Sequence, residues 1–205
     1  RPTQMMDDFN VGALTNAAWA LAKLGVHDEE LFGAIAKRAM EVSEDFNGQD
    51  LATTVSAFAT TGTKHLRLLG AIAGRALETL GEFSSKNLAN TACAFATLGL
   101  RHEKLFDAIA TRTMQRLEEF EPPDLPSMVW AFATLGLLHE KFFHAIATRA
   151  MTRLEEFSPS DLASMACDFA TLGLRHDKFF DAIATRTLHC LEGFHARDLA
   201  STAWA

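Results

Sequence analysis

One leucine recurs at Leu14, Leu51, Leu88, Leu125, Leu162 and Leu199, and every interval is 37 residues, without insertion or deletion. A fixed period of that size leaves few folds open. Each copy is too short to enclose its own apolar face and must stack on its neighbours, as in a solenoid. The 205 residues therefore read as one elongated repeat domain, 1–205. Its complete repeats are 10–46, 47–83, 84–120, 121–157 and 158–194, flanked by partial repeats at 1–9 and 195–205. The chain opens on Arg1 and stops at Ala205 inside a copy, so it reads as a fragment of a longer protein.

Each repeat divides into two helices, A and B. In the third, Asn87 stands where an N-cap is expected, with Asp50, Asp124, Asp161 and Asp198 in the same column. Gly99 stands where helix A ends, with Gly25, Gly62, Gly136 and Gly173 in register, because glycine takes the left-handed conformation that closes a helix. Between them Leu88, Ala92, Phe95 and Ala96 follow the 3.6-residue period and form one apolar stripe. Helix B is predicted from about His102 to Phe120, with a wide apolar face of Leu105, Phe106, Ile109, Ala110, Met114 and Leu117. Gly70, Gly74 and Gly81 are expected to weaken the second repeat's helix B by about 1 kcal/mol each if all lie inside it. Pro122, Pro123, Pro126 and Pro159 fall before helix A or in its first turn, where a missing N–H costs little. No strand-like alternation occurs. The fold class is all-α: a right-handed α-solenoid of antiparallel helix hairpins, a superhelix of the tetratricopeptide and pentatricopeptide kind, with helix A lining the concave face.

Composition narrows the function. With 48% hydrophobic residues the chain has material for a continuous core, and no apolar run approaches the ~18 residues of a membrane span. The formal charge of −7 counts against nucleic acid as a partner. Much of it comes from Glu44-Asp45, Glu118-Glu119 and Glu155-Glu156 near the helix-B ends, so it need not describe a helix-A face that carries only Lys23 and Asp168 beyond its caps. Cys93, Cys167 and Cys190 form no CxxC, which favours reduced thiols in an intracellular compartment over a disulfide or zinc framework.

The motif Leu88-Ala-Asn-Thr-Ala-Cys-Ala-Phe-Ala-Thr-Leu-Gly99, with its relative Leu14-Thr-Asn-Ala-Ala-Trp-Ala-Leu-Ala-Lys-Leu-Gly25, resembles the repeats of organellar RNA-binding proteins. These are the heptatricopeptide and octotricopeptide repeat families and the leucine-rich helical region of FAST-kinase-like proteins, many of which carry a RAP domain. The resemblance covers all five complete repeats, and the 37-residue period favours the heptatricopeptide type. It implies binding of single-stranded RNA in mitochondria or plastids, in rRNA or mRNA processing, stability or translation.

Columns that vary between repeats are where specificity would reside. Two positions after the lead leucine stand Asn16, Thr53, Asn90, Ser127, Ser164 and Ser201, and five after it Trp19, Ser56, Cys93, Trp130, Cys167 and Trp204. With positions six and nine they are predicted to face away from the apolar stripe. Small hydrogen-bonding side chains beside an aromatic ring suit splayed-out bases, one repeat per base. The same columns also fit a plain solvated face, with the tryptophans packed between repeats.

A second ladder, Arg38, Arg75, Arg112, Arg149 and Arg186, lies on helix B, and Arg1 shares its register. These side chains would contact successive phosphates, or pair with a carboxylate of another repeat such as Asp124 or Asp161. His65, His102, His139 and His176 align at the start of helix B with Asp28, and that replacement points to capping rather than metal binding. No GxxxxGK[ST], HExxH or GxSxG occurs, and no enzyme, metal, cofactor or small-molecule substrate is expected. The expected partner is single-stranded RNA, without a membrane; the alternative is a protein-binding scaffold of tetratricopeptide or HEAT character.

Overall fold

Both helices of each repeat form where the period places them. A computed structural model describes residue 6 and residues 8–189. Among the described residues there are ten α-helices and no strand. The A helices are α1 (Val11–Lys23), α3 (Gly48–Thr60), α5 (Ser85–Thr97), α7 (Asp124–Thr134) and α9 (Pro159–Thr171). The B helices are α2 (Glu29–Glu41), α4 (Leu66–Thr79), α6 (Glu103–Gln115), α8 (Glu140–Thr152) and α10 (Asp177–His189). Helix B is shorter than predicted, because short 3-10 turns at Ser43–Asp45, Leu80–Glu82, Leu117–Glu119 and Leu154–Glu156 complete its last stretch. The fold is an α-solenoid of helix hairpins. Asp198, Cys190 and the last partial repeat lie outside the described residues.

The start of helix A corrects the expected cap. The N-caps are Asn10, Asn47, Ser84 and Ser158, three residues before the Asp50 and Asn87 column. Asp50 and Asp161 are instead the third residues of their helices, and each completes a capping box with Asn47 or Ser158. Phe46 and Leu51, which flank that box at the spacing of a hydrophobic staple, are both buried. The fourth repeat has Pro122 and Pro123 here, so α7 begins only at Asp124 and is 11 residues long against 13 for its sisters.

The helix-A ends form as expected. Gly25, Gly62, Gly99, Gly136 and Gly173 are the glycines with positive φ, between 62° and 68°. At Gly99 the following Leu100 N–H donates to Phe95 O at 2.9 Å, and a side chain in that conformation costs roughly 1 kcal/mol.

The chain divides into two compact units, Arg1–Ile109 and Ala110–Ala205. In the first, α1, α3 and α5 lie side by side, α2 packs on α4, and Phe32 meets Phe58 of the next repeat edge-on at 5.1 Å. In the second, α7 lies beside α9, α8 beside α10, and Phe143 meets Phe169 in the same way at 5.2 Å. In both units a repeat thus buries a ring on a ring of its neighbour, as its own length requires.

Candidate nucleic-acid interface

Burial of the Leu, Ala and Phe stripe turns the opposite side of each A helix outward. In the first compact unit Asn16 is exposed, while Thr53, Asn90, Ser56 and Cys93 are half-buried. In the second, Ser164 is exposed and Ser127 and Cys167 are half-buried. Trp19 and Trp130 are not packed between repeats: they are 51% and 39% accessible, although large rings are usually covered. Lys23 sits over Trp19 with its Nζ 5.9 Å from the ring centroid. Thr53 accepts a hydrogen bond from Gln49, and Ser127 donates to Pro123 O. Ser201 and Trp204 lie outside the described residues.

Position six does not belong to this outward face. Ala57, Ala94 and Ala131 are buried there, small side chains that let packed helices approach. The fifth repeat carries Asp168 instead, half-buried. Its carboxyl is pushed up to about 6 by desolvation.

The arginine ladder is occupied by protein. Arg149 pairs with the Glu118 carboxylate at 2.7 Å and Arg186 with Glu155 at 2.6 Å, in each case the 3-10 turn of the preceding repeat. Arg75 donates to the Glu44 carbonyl at 2.8 Å and Arg38 to the Phe9 carbonyl at 3.2 Å, again one repeat back. Arg38 and Arg75 add local pairs with Glu41 and Glu78. Arg112 donates to Gln115. For Arg38, Arg75, Arg149 and Arg186 the inter-repeat partners are therefore the helix-B ends of the preceding repeat. These guanidinium groups reach carbonyls and carboxylates before any phosphate. The acidic pairs are exposed in those turns as expected, and hydrogen bonds from Arg116 and Arg153 hold the Glu119 and Glu156 carboxyls below the ordinary carboxylate range. Arg1 lies outside the described residues.

The aligned histidines cap helix B. His65, His102, His139 and His176 each accept, through Nδ1, the backbone N–H three residues on, at 3.2 to 3.4 Å. Asp28 does the same at 2.9 Å. No group of three or more His, Cys, Asp or Glu among the described residues is placed to hold a metal ion.

Sequence comparison alone missed the cations around the A-to-B turns. Lys64, Arg67 and Lys104 in the first compact unit, and Lys141, Arg175 and Lys178 in the second, are exposed. None has a carboxylate within ion-pair distance among the described residues. The signal was present as a loose basic column, masked by neighbouring Glu29, Glu103 and Glu140.

A family model described as RESC6, RNA-editing substrate-binding complex 6 protein, matches residues 1–119 and again residues 80–205. The chain belongs to this family. Two overlapping matches are what a repeat array produces, since one stretch of repeats aligns equally well in more than one register. No curated protein matches the chain. Membership of RESC6 agrees with an RNA-associated helical-repeat protein, and no described helix is long and apolar enough to cross a membrane.

Proposed function

We propose that the chain binds single-stranded RNA along the outward side of its A helices, as a component of a complex that engages RNA-editing substrates. The observation that carries this reading is the exposure of Trp19 and Trp130 beside a column of Asn, Thr and Ser, in a member of the RESC6 family. An exposed ring offers a stacking platform to any base, and the small polar neighbours offer donors and acceptors to its edge. The exposed cations at the A-to-B turns, rather than the arginine ladder, would neutralise phosphates. The 37-residue period supports a heptatricopeptide-like array, and the resemblance to organellar repeats supports a mitochondrial site of action. The role is binding without catalysis.

A filter-binding titration against a pool of single-stranded RNA at two salt concentrations tests the reading. Binding that weakens steeply with salt is expected, and Trp19→Ala should weaken it about tenfold, the value of one stacked base. Absence of binding at low salt would refute it. A second reading, a scaffold for proteins, is favoured by the formal charge of −7 and by the exposed acidic 3-10 turns. It predicts a partner protein retained when RNA is digested away.

A further inference from the structure

Between the start of α8 and the turn that joins α9 to α10 lies a groove of about 590 Å³, within the size range of small-ligand sites. Its floor is apolar: Phe143 and Phe169, both almost fully buried, meet edge-on there. Its rim is basic. Lys141 and Arg175 line it from adjacent repeats, both exposed, and neither has a carboxylate within ion-pair distance among the described residues. Glu140 is the one acid among the residues that line it. In a chain with 26 acids against 19 Lys and Arg, two neighbouring cations without a carboxylate leave a local charge that an anion from outside can meet.

His144 adds a ring. It is exposed in the same groove and lies against His176, with centroids 5.0 Å apart and planes tilted by 31°. His176 is fixed by the cap bond it accepts from Phe179 N–H, and its Nε2 is closed to solvent, so it backs the pair and contact with a ligand falls to His144.

The repeats show that this combination is not a general property of the turn. One column reads His27, Lys64, Arg101, Leu138 and Arg175, a second Glu30, Arg67, Lys104, Lys141 and Lys178, and the column of His144 holds Gly33, Gly70, Asp107 and Asp181 elsewhere. Among junctions of complete repeats, two cations and a ring in that column coincide only between the fourth and the fifth. The sister groove between the first two repeats, about 400 Å³, has Gly33 in the place of His144, and its His27 is drawn to Thr61 O at 3.1 Å.

Resting on the RNA reading above, we propose that the groove between repeats four and five seats one nucleotide of single-stranded RNA, its phosphate held between Lys141 and Arg175 and its base stacked on His144. A guanidinium fork and an ammonium group both suit phosphate oxygens. An imidazole face accepts any base, so this contact anchors the strand without choosing its sequence.

Fluorescence-anisotropy titration of a labelled single-stranded oligoribonucleotide with the whole chain tests this. His144→Ala should weaken binding about tenfold, the value of one stacked base, whereas His144→Phe, which restores a ring, should bind like wild type. On an abasic strand of the same length His144→Ala and wild type should bind alike. Lys141→Ala with Arg175→Ala should reduce the salt slope by about two. Wild-type binding that neither His144→Ala nor the double variant changes would overturn the groove as the seat, and an equal loss in His144→Phe and His144→Ala would overturn the stacking. A wild-type chain that binds no oligoribonucleotide even at low salt would instead overturn the RNA reading itself.

Discussion

Asp168 and Trp19 show how much a single side chain can depend on its surroundings. Desolvation raises the Asp168 carboxyl to about 6 from an ordinary 3.8, so the folded state holds its proton more tightly than the unfolded chain does. Above about pH 6 the folded protein bears the cost of an ionised, poorly solvated group, and as pH falls from there towards 4 that cost disappears. Asp168→Asn should therefore raise stability at neutral pH by about 1–2 kcal/mol and flatten the pH dependence within that window. Chemical denaturation of both proteins at several pH values checks it; parallel curves would show that the burial is not felt. Nothing in the order of residues reveals this. Asp168 is one polar letter in an alanine column, and only its neighbours' positions make it half-buried.

At the scale of the element, most of what the sequence implies is local and therefore legible. Glycine at the helix-A end acts through its own backbone angle, and His102 acts on an N–H three residues away, so both roles follow from position in the repeat. His102→Ala should cost about 1 kcal/mol of stability, whereas His102→Asp, the residue type of the first repeat, should cost little. Thermal or denaturant melts separate these, and equal losses would contradict capping. Gly70 and Gly74 lie in α4, while Gly81 falls in the following 3-10 turn, so two of the three weaken the helix itself. A Cβ at either meets nothing within 4 Å, and Gly70→Ala or Gly74→Ala should each stabilise the chain by roughly 0.5–1 kcal/mol. Gly48→Ala should do the opposite, because its Cβ would lie 2.7 Å from the Phe83 ring. The aspartate column marks the third residue of helix A and not its cap. The three-residue step from Asn47 to Asp50, and from Ser158 to Asp161, was the available signal for a box that starts earlier.

For the whole molecule, the two sets of cations now have different tasks. Arg149→Ala should lower stability by about 0.5–1 kcal/mol, by loss of its pair with Glu118, and leave RNA affinity nearly unchanged. Lys141→Ala or Arg175→Ala should leave stability alone and reduce the salt slope of RNA binding by about one each. Binding isotherms at graded salt beside denaturant melts distinguish the two; a steep loss of affinity in Arg149→Ala would return the ladder to the RNA. The sequence by itself determined the period, the division into two helices, the buried stripe and, position six apart, the outward columns, because repeats of one unit report on each other and helical periodicity is a local property. The tertiary structure alone decided which cations are occupied, how far Trp19, Trp130 and Asp168 are covered, and that the arginines reach back to the preceding repeat. Those depend on side chains about thirty residues apart meeting in space, and no spacing within one helix encodes that meeting.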